Sequence, residues 1–304
     1  MKKYMKNGLL ALFIGLVFLS GCESKKDTIH IATKPMSEQF ILGEMLALLI
    51  EENSDLHVKI TKGVGGGTSN IHPAMIKGDF DLYPEYTGKG WLVILKKDTL
   101  LPPDQLFSEL QKEYSREYGL KWVAPYGFNN AYSLAVSNEM AKKYNLKTFS
   151  DLALYPDLFT FGAEYDFYEI NDGYADLCAY YNLKFKKNLD MDIGLKYEAM
   201  RSGKIDVINI FTTDGQLSHA NLTILKDDKH FFPSYYCATI VREETLKEHP
   251  ELERILEKMN GILTDQEMAD MNYKVDVEHR TEREVAVEFL KKKGLLNPQL
   301  SYGK

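Results

Sequence analysis

The run over residues 78–88, Gly-Asp-Phe-Asp-Leu-Tyr-Pro-Glu-Tyr-Thr-Gly, constrains the fold more than any other stretch of this chain. Phe80 and Leu82 alternate with polar residues, which is the period of a half-buried strand. Pro84 has no N–H to donate to a sheet, so we expect the strand to end there. Tyr86 would then lie on a loop just past the carboxyl end of a strand, where open α/β sheets bind ligands. The alternative is an ordinary strand and turn whose tyrosine packs in the core.

The segments before this run predict a parallel βαβ unit. Residues 28–33 and 56–60 alternate as strands do, and an apolar stripe typical of a helix lies between them. Ser37 is well suited to cap that helix at its amino end. A strand, a helix and a second strand in this order favour parallel pairing in one sheet.

A glycine-rich run at 63–67 follows the second strand and has the look of a phosphate-binding loop. It lacks the Gly-Lys-Ser/Thr sequence of a P-loop, and Thr68 stands where a dinucleotide fingerprint has its third glycine. We therefore interpret it as a flexible loop, with Ser69 or Asn70 capping a short helix that ends near Ile76. We expect no cofactor.

Strand-like and helical segments alternate again further along the chain and indicate a second α/β unit. The last part of the chain is helical, and two pairs with capping-box spacing lie in it, Thr264 with Glu267 and Thr281 with Glu284. The further predicted strands are 120–124, 131–136, 158–161, 205–210, 222–225 and 238–241.

The first 21 residues have the form of an export signal. Three lysines precede an apolar run at 8–19, which is too short to span a bilayer comfortably. The sequence Leu-Ser-Gly-Cys that ends at Cys22 resembles the bacterial lipobox, which implies cleavage before Cys22 and its lipidation. Acyl chains would then hold the protein on the extracytoplasmic face of the cell membrane, with residues 22–27 as a tether. Ordinary cleavage that leaves a free cysteine is the alternative.

The balance of charge argues against nucleic acid as a partner. The formal net charge is −7, and loss of the first 21 residues, which carry three lysines and no acid, would make it −10. A protein this acidic lacks the basic surface that nucleic acids require.

The sequence lacks the motifs of common hydrolases and metalloenzymes. Its seven histidines show no His-Glu-x-x-His spacing, and there is no Gly-x-Ser-x-Gly elbow. Asp172 and Asp214 lie beside glycines and resemble catalytic acids, but we interpret them as turn residues that cap helices. Cys178 and Cys237 have no metal-ligand spacing, and we expect free buried thiols, although export permits a disulfide. We predict a protein that is not an enzyme and binds no metal.

Aromatic residues carry the strongest chemical signal. Tyrosine occurs 19 times, and Tyr86, Tyr132, Phe211 and Tyr235 lie on predicted loops or strand ends. A quaternary ammonium group cannot donate an ordinary hydrogen bond, so proteins hold it with aromatic faces, each worth roughly 0.5–2 kcal/mol. Four faces would supply a large part of the roughly 8 kcal/mol that micromolar binding requires. Taken singly, each of these residues is more typical of a core position. The cage requires the four rings to converge, and sequence spacing cannot show that.

From residue 29 to about residue 242 the sequence resembles the substrate-binding lipoproteins of ABC importers for glycine betaine, carnitine and choline. The order and separation of several short runs carry this resemblance, although each run is weak alone. The matching runs are 34–39, 65–68, 81–88, 129–132, 172–173, 213–215 and 232–235.

The resemblance implies an α/β fold of the periplasmic-binding-protein kind (type II-like), with two lobes and a ligand cleft between them. The chain would cross the hinge twice, near 125–130 and near 233–237. Lobe 1 would comprise 28–128 with 236–304, and lobe 2 would comprise 129–235. The partners would be a small ligand, an ABC permease and an ATPase subunit, and this chain would do no chemistry.

The resemblance also implies a set of ligand-binding residues. The aromatic box would hold the methylated cation, Lys34 would face the ligand's carboxylate, Gln39 would form the pocket wall and Asn130 the rim. The predicted set is Lys34, Gln39, Tyr86, Lys89, Asn130, Tyr132, Phe211 and Tyr235.

Three residues depart from the family pattern. Phe211 replaces a tyrosine, Lys89 replaces a small residue, and Ile170 stands where the family often has an arginine for the carboxylate. If Lys89 reaches the carboxylate, a zwitterion is favoured over choline. If it points at the cage, it repels a cation by about 3 kcal/mol at about 6 Å and an effective dielectric constant near 20. A solvent-facing Lys89 is the third possibility.

Other functions remain open at this stage. The same scaffold is suited to another amino-acid-like zwitterion, such as ergothioneine. A sensor lipoprotein and a secreted hydrolase on a binding-protein scaffold are further alternatives, and the missing catalytic constellation argues against the hydrolase.

Overall fold

The computed structural model describes residues 27–302, apart from 98, 100, 170–172 and 192. Two five-stranded mixed sheets form the centres of two lobes, which confirms the predicted α/β class. The predicted export signal with Cys22, and the residues Ile170 and Asp172, lie outside the described residues.

Ten strands build the two sheets. They are β1 (Thr28–Ala32), β2 (His57–Thr61), β3 (Leu82–Tyr86), β4 (Leu120–Val123), β5 (Tyr132–Ser137), β6 (Thr160–Ala163), β7 (Lys187–Asp190), β8 (Val207–Phe211), β9 (Leu222–Leu225) and β10 (Cys237–Arg242).

The sheet of lobe 1 has the strand order β2-β1-β3-β10-β4. β1 and β2 are parallel along their whole length, from Thr28 opposite His57 to Ala32 opposite Thr61, which confirms the predicted βαβ unit. β10 returns late in the chain and lies antiparallel between β3 and β4. The sheet of lobe 2 has the order β7-β6-β8-β5-β9, with β5 antiparallel to both of its neighbours.

Helices cover both sheets. They are α1 (Ser37–Asn53), α2 (Thr68–Lys77), α3 (Pro103–Tyr118), α4 (Asn138–Tyr144), α5 (Phe149–Leu152), α6 (Tyr165–Glu169), α7 (Tyr174–Tyr181), α8 (Ile193–Arg201), α9 (Glu243–Glu248), α10 (Glu251–Leu256), α11 (Asp265–Asp276) and α12 (Glu282–Lys292). A short helical turn (Thr87–Lys89) leads into a π-helical segment (Gly90–Ile94), and 3₁₀ turns lie at Gly215–His219 and Glu257–Met259.

The two predicted capping boxes are confirmed at the starts of α11 and α12. Thr264 and Glu267 cap each other's backbone at α11, and Thr281 and Glu284 do so at α12. Such reciprocal bonds satisfy amide groups that a helix cannot satisfy internally.

The caps predicted for α1 and α2 are wrong. α1 begins one residue earlier than expected, with Met36 as its N-cap and no side-chain cap. α2 has Gly67 as its N-cap, and Asn70 donates instead to the carbonyl of Gly65, 2.6 Å away. The hydroxyl of Ser37 donates a hydrogen bond to Asp276 of α11 and does not cap its own helix. A contact between residues so far apart in the chain cannot be predicted from local spacing.

Pro84 does not end its strand, contrary to the sequence prediction. β3 runs through it, and Pro84 lies opposite Thr239 in the antiparallel ladder with β10. Only alternate residues of an antiparallel pair exchange hydrogen bonds, and the bonds made by Asp81 and Thr87 place Pro84 between the bonded positions. The missing N–H therefore costs no bond to β10. Tyr86 is consequently the last residue of the strand.

The two passages between the lobes are joined to each other. Asn129, on the way out of lobe 1, forms an isolated antiparallel bridge with Tyr236, on the way back. The backbone N–H of Asn130 donates to the carbonyl of Tyr235 at 3.2 Å, and the N–H of Tyr235 donates to the Asn129 side chain at 2.6 Å. The passages thus form a short two-stranded connection, the type of element about which lobes can bend.

Both cysteines of the described residues are free, Cys237 being buried and Cys178 partly buried. Burial raises the pKa of the Cys178 thiol to about 11 and raises that of Cys237 well above its usual value, so both stay protonated. In the part of the chain that the structure describes, no helix is both long and apolar enough to cross a membrane.

The lobes touch at Gly215 of lobe 2, which lies against the backbone of α11. A Cβ atom on Gly215 would come 2.7 Å from the backbone nitrogen of Tyr273 and 3.0 Å from the carbonyl carbon of Asn272. The Asn272 side chain also donates to the carbonyl of Thr213 at 2.8 Å. Only a residue without a side chain allows the lobes to approach this closely.

We expect Gly215→Ala to weaken this contact and to lower the free energy of unfolding by about 1–3 kcal/mol, because the added methyl group meets backbone that cannot rotate away. Urea denaturation measures the loss, and small-angle X-ray scattering measures the radius of gyration, which should increase. Gly65→Ala is the matched control, because its Cβ would meet no atom within 4 Å. Equal stability and equal size of the two variants would contradict the close approach.

Candidate ligand site between the lobes

Lys34 lies in the loop after β1, and its ammonium group forms a buried ion pair with Glu85 of β3. The Glu85 side chain is fully buried and also accepts hydrogen bonds from the Thr68 hydroxyl and the Tyr86 backbone N–H, each at 2.7 Å. The Lys34 nitrogen is 4.7 Å from the centroid of the Tyr86 ring. The charge of Lys34 is therefore neutralised within lobe 1, and its predicted contact with a ligand carboxylate stays a prediction.

Gln39 is fully buried on the first turn of α1, next to this ion pair. Its side-chain oxygen accepts a hydrogen bond from the backbone N–H of Lys34 at 3.4 Å. The contact places Gln39 behind the loop that carries Lys34.

Tyr86, at the end of β3, is 5% exposed. Its hydroxyl group donates to the carboxylate of Glu38 at 2.5 Å. Burial raises the pKa of the Tyr86 phenol well above its usual value, and the neighbouring Glu38 charge raises it further, so the phenol remains a donor.

Glu38 is the functional candidate that the sequence did not single out. It is 4% exposed and accepts hydrogen bonds from the Asn130 side chain at 3.0 Å and from the Asn272 side chain at 3.3 Å. Burial raises the pKa of Glu38 above its ordinary value, and hydrogen bonds from Tyr86, Asn130, Asn272 and Thr213 oppose the rise. One carboxylate thus contacts groups from both lobes and from the crossing.

The only hint of this role in the sequence was a charge in the first turn of a largely apolar helix. Such a charge is normally explained by the helix dipole, which favours an acid at this end. Nothing local distinguishes it from an exposed glutamate.

Tyr132 and Phe211 form the aromatic part of the site in lobe 2. They lie opposite each other on β5 and β8, and their rings stack with centroids 4.4 Å apart and planes inclined by 30°. Phe167 and Phe232 flank Tyr132 at 5.2 and 5.7 Å. Both rings of the stacked pair are only half-buried, so part of their surface is accessible.

Tyr235 and Lys89 meet on the lobe 1 side of the crossing. The Tyr235 ring lies so close to Gly88 that a Cβ atom there would come 2.5 Å from a ring carbon. Lys89 is exposed, and its ammonium nitrogen is 5.6 Å from the centroid of the same ring. Lys89 therefore lies over a predicted cage ring while keeping contact with water.

The predicted residues fall into three groups that Asn130 connects. Asn130 reaches Glu38 with its side chain, contacts Tyr235 with its backbone and lies two residues before Tyr132. The side-chain oxygens of Asn130 and Asn272 are buried and accept no hydrogen bond from the described residues. They offer acceptors to a polar ligand. The convergence of all four rings on one point stays a prediction.

A separate cavity of about 360 Å³ lies beside the crossing, between lobe 1 and the segment that returns from lobe 2. Its volume is sufficient for a small molecule, and its lining is largely apolar. None of the four predicted aromatic residues lines it. Its lining is Gly88, Trp91, Leu92, Leu101, Pro102, Pro103, Leu106, His230, Phe232, Pro233 and Ser234.

Asp214 has the structural role expected of it. Its carboxylate accepts a hydrogen bond from the backbone N–H of Gln216, at the start of a 3₁₀ turn, and another from the hydroxyl of Tyr197 at 2.6 Å. It caps a turn, and its oxygens are used by those contacts.

We expect Lys34→Met to lower the free energy of unfolding by about 3–5 kcal/mol, because it leaves the Glu85 charge buried without a cation. Adding Glu85→Gln should restore part of the loss. The matched control is Arg201→Met, since Arg201 pairs with Glu198 while both side chains are at least 60% exposed; its cost should stay below about 1 kcal/mol. Urea denaturation measures all of these variants, and similar losses for both single substitutions would contradict the buried pair.

Comparisons with known proteins agree with this architecture. A crystal structure described as a glycine betaine/carnitine/choline ABC transporter superposes with a TM-score of 0.83 at 33% identity, and the match covers 88% of this chain and 99% of that one. This likeness confirms the predicted two-lobed fold.

Two relatives are similar in sequence. An ergothioneine transport permease/ergothioneine binding protein of Helicobacter pylori is 46% identical over 287 residues, which cover 94% of this chain and 51% of the relative. The chain thus spans about half the length of that protein. A carnitine transport binding protein of Listeria monocytogenes is 36% identical over 301 residues, which cover 95% of this chain and 97% of the relative.

The family model for the substrate binding domain of the ABC-type glycine betaine transport system matches residues 27–292. The match covers nearly all of the described chain and confirms the resemblance inferred from the short sequence runs. This chain therefore belongs to the family of substrate-binding domains of ABC-type glycine betaine transport systems.

Proposed function

We propose that this protein captures a betaine-type zwitterion, a small molecule with a methylated ammonium group and a carboxylate, and delivers it to a membrane permease. The half-buried stack of Tyr132 and Phe211 beside the crossing is the observation that carries the proposal. Aromatic faces attract a cation that has no hydrogen to donate, and desolvation between the lobes strengthens that attraction.

Lys89 is the residue that we assign to the ligand's carboxylate. It is exposed and lies over the Tyr235 ring, whereas the ammonium group of Lys34 is already paired with Glu85. A cation at this position favours a zwitterion over choline, which has no carboxylate. Lys34 then shapes the floor of the site behind Tyr86.

Capture requires the lobes to move. Tyr86 is only 5% exposed, so a ligand would reach its ring when the lobes separate. The paired passages at Asn129 and Tyr236 are where bending would occur.

Ergothioneine is a second candidate, which the identity of 46% to a protein named for its transport favours. It is itself a trimethylated amino acid, so the aromatic rings and Lys89 would serve it in the same way. Its heterocycle carries N–H groups, and the unsatisfied side-chain oxygens of Asn130 and Asn272 would accept hydrogen bonds from them.

We expect micromolar binding of at least one zwitterion in calorimetric titrations with glycine betaine, carnitine, choline and ergothioneine. Tyr132→Ala and Phe211→Ala should each weaken it at least tenfold, about 1.4 kcal/mol, because each removes one aromatic face. Lys89→Met should weaken the zwitterions relative to choline, because it removes the partner of their carboxylate and also a cation that repels the ammonium group of choline. Tyr165→Ala is the matched control, because Tyr165 is 61% exposed. A folded protein that binds none of the four compounds would contradict the proposal.

We further propose that Cys22 carries lipid and holds the protein on the outer face of the membrane. The lipobox-like sequence supports this anchoring. We expect Cys22→Ser to move the protein from the membrane fraction to the soluble fraction, because two or more acyl chains are what keep such a protein bound. Detergent phase partitioning with immunoblotting measures the distribution. Identical partitioning of both forms would contradict the anchor.

A further inference from the structure

The carboxylate of Glu38 is buried at the junction of the lobes, and all the groups that hydrogen-bond to it are neutral. Tyr86, Asn130 and Asn272 donate to its oxygens, and Thr213 also lies within hydrogen-bonding reach. A buried carboxylate that is not paired with a cation is costly to the folded state. A glutamine would avoid that cost and lose only the acceptor that faces Asn272, so the retained charge calls for an explanation.

The cation near Glu38 is already paired with another carboxylate. The loop before Glu38 carries Lys34, whose ammonium group is bound to Glu85 on β3 and lies 4.7 Å from the centroid of the Tyr86 ring. From β10 the neutral thiol of Cys237 faces this region, and burial raises its pKa. The crossing, lobe 2 and α11 contribute only uncharged groups to Glu38. The Glu38 charge is therefore not cancelled by its hydrogen-bonding partners.

The hydrogen bond from Tyr86 links this charge to the predicted aromatic site. A phenol that donates to a carboxylate becomes richer in electrons, and this strengthens the attraction of its ring for a cation. A cation within about 6 Å of the ring centroid lies within roughly 8 Å of the carboxylate, because the ring's own hydroxyl contacts it. At that distance and an effective dielectric constant near 20, the attraction corresponds to roughly 30-fold in affinity.

Building on the proposed function, we infer that Glu38 is a specificity-determining residue that supplies the counter-charge for the ligand's quaternary ammonium group and polarises the Tyr86 ring toward it. Glu38 and Lys89 then divide the recognition of a zwitterion. The buried carboxylate stabilises the cationic end, and the exposed ammonium group stabilises the anionic end. Without a ligand, the buried charge of Glu38 destabilises the folded protein. The attraction between Glu38 and the ligand's cation offsets that destabilisation when the ligand binds.

The decisive comparison is Glu38→Gln against the unmodified protein, with choline and glycine betaine as ligands. Glutamine keeps the shape and one acceptor oxygen, which can still take the bonds from Tyr86 and Asn130, and it removes the charge; its amide nitrogen replaces the oxygen that accepts from Asn272. We expect both ligands to bind roughly 30-fold more weakly, whereas Lys89→Met should lower the affinity for glycine betaine relative to that for choline. Glu139→Gln, which neutralises an exposed acid of lobe 2, is the control and should leave both affinities unchanged.

The melting temperature of the empty protein separates this role from a purely structural one. Because burial raises the pKa of Glu38, its ionised form costs stability above that pKa, and the cost is lost as the pH falls through it. Glu38→Gln should therefore raise the melting temperature at neutral pH while weakening binding. A structural latch predicts the opposite change in melting temperature.

A pH titration of the unmodified protein tests the inference without a variant. Choline has no group that titrates between about pH 4 and pH 8, so its affinity reports on the protein alone. We expect the affinity to fall as the pH drops through the raised pKa of Glu38, and to show no such fall in Glu38→Gln.

Two results would overturn the inference while leaving the proposed function intact. One is equal affinity of Glu38→Gln and the unmodified protein for choline. The other is a lower melting temperature of Glu38→Gln with an unchanged pH profile. Failure of the unmodified protein to bind any methylated ligand would instead overturn the proposed function, and the inference with it.

Discussion

The buried ion pair between Lys34 and Glu85 is the interaction on which the site in lobe 1 depends. It ties the loop after β1 to β3, and Thr68 at the start of α2 donates to the same carboxylate. Such a pair adds little net stability, but the loss of either partner is costly, so it acts mainly as a positional constraint. Tyr86 is the next residue along β3, so the ion pair also fixes its position. Its hydroxyl group donates a hydrogen bond to Glu38.

Features that depend on short-range periodicity could be predicted from the sequence. The alternation of strands and helices, the parallel βαβ unit and the capping boxes at Thr264 and Thr281 all follow from spacing within one or two turns. Pro84 could not be placed in the same way, because a proline is tolerated or excluded according to the direction in which its nitrogen points in the ladder. That direction is set by β10, which lies about 150 residues further along the chain.

In the candidate site, too, some features could be predicted from local sequence and others depend on distant residues. Its aromatic residues could be named from their positions and from the family resemblance, but the stacking of Tyr132 on Phe211 follows from the register of β5 with β8. Lys34 looked available to a ligand until its partner was known, and that partner lies 51 residues away. Glu38 was overlooked because its role arises from residues of three distant segments. The sequence shows which chemical groups are present. Whether a ligand can contact them depends on packing between residues that are far apart in the chain.

The position of β10 imposes an order on folding. Lobe 2 has all of its strands in one continuous stretch, whereas the sheet of lobe 1 needs β10, which is synthesised after lobe 2 is complete. Until then β3 and β4 each lack a central neighbour, and unpaired strand edges of this kind invite aggregation. The lobe whose strands are synthesised first is therefore the one whose sheet is completed last.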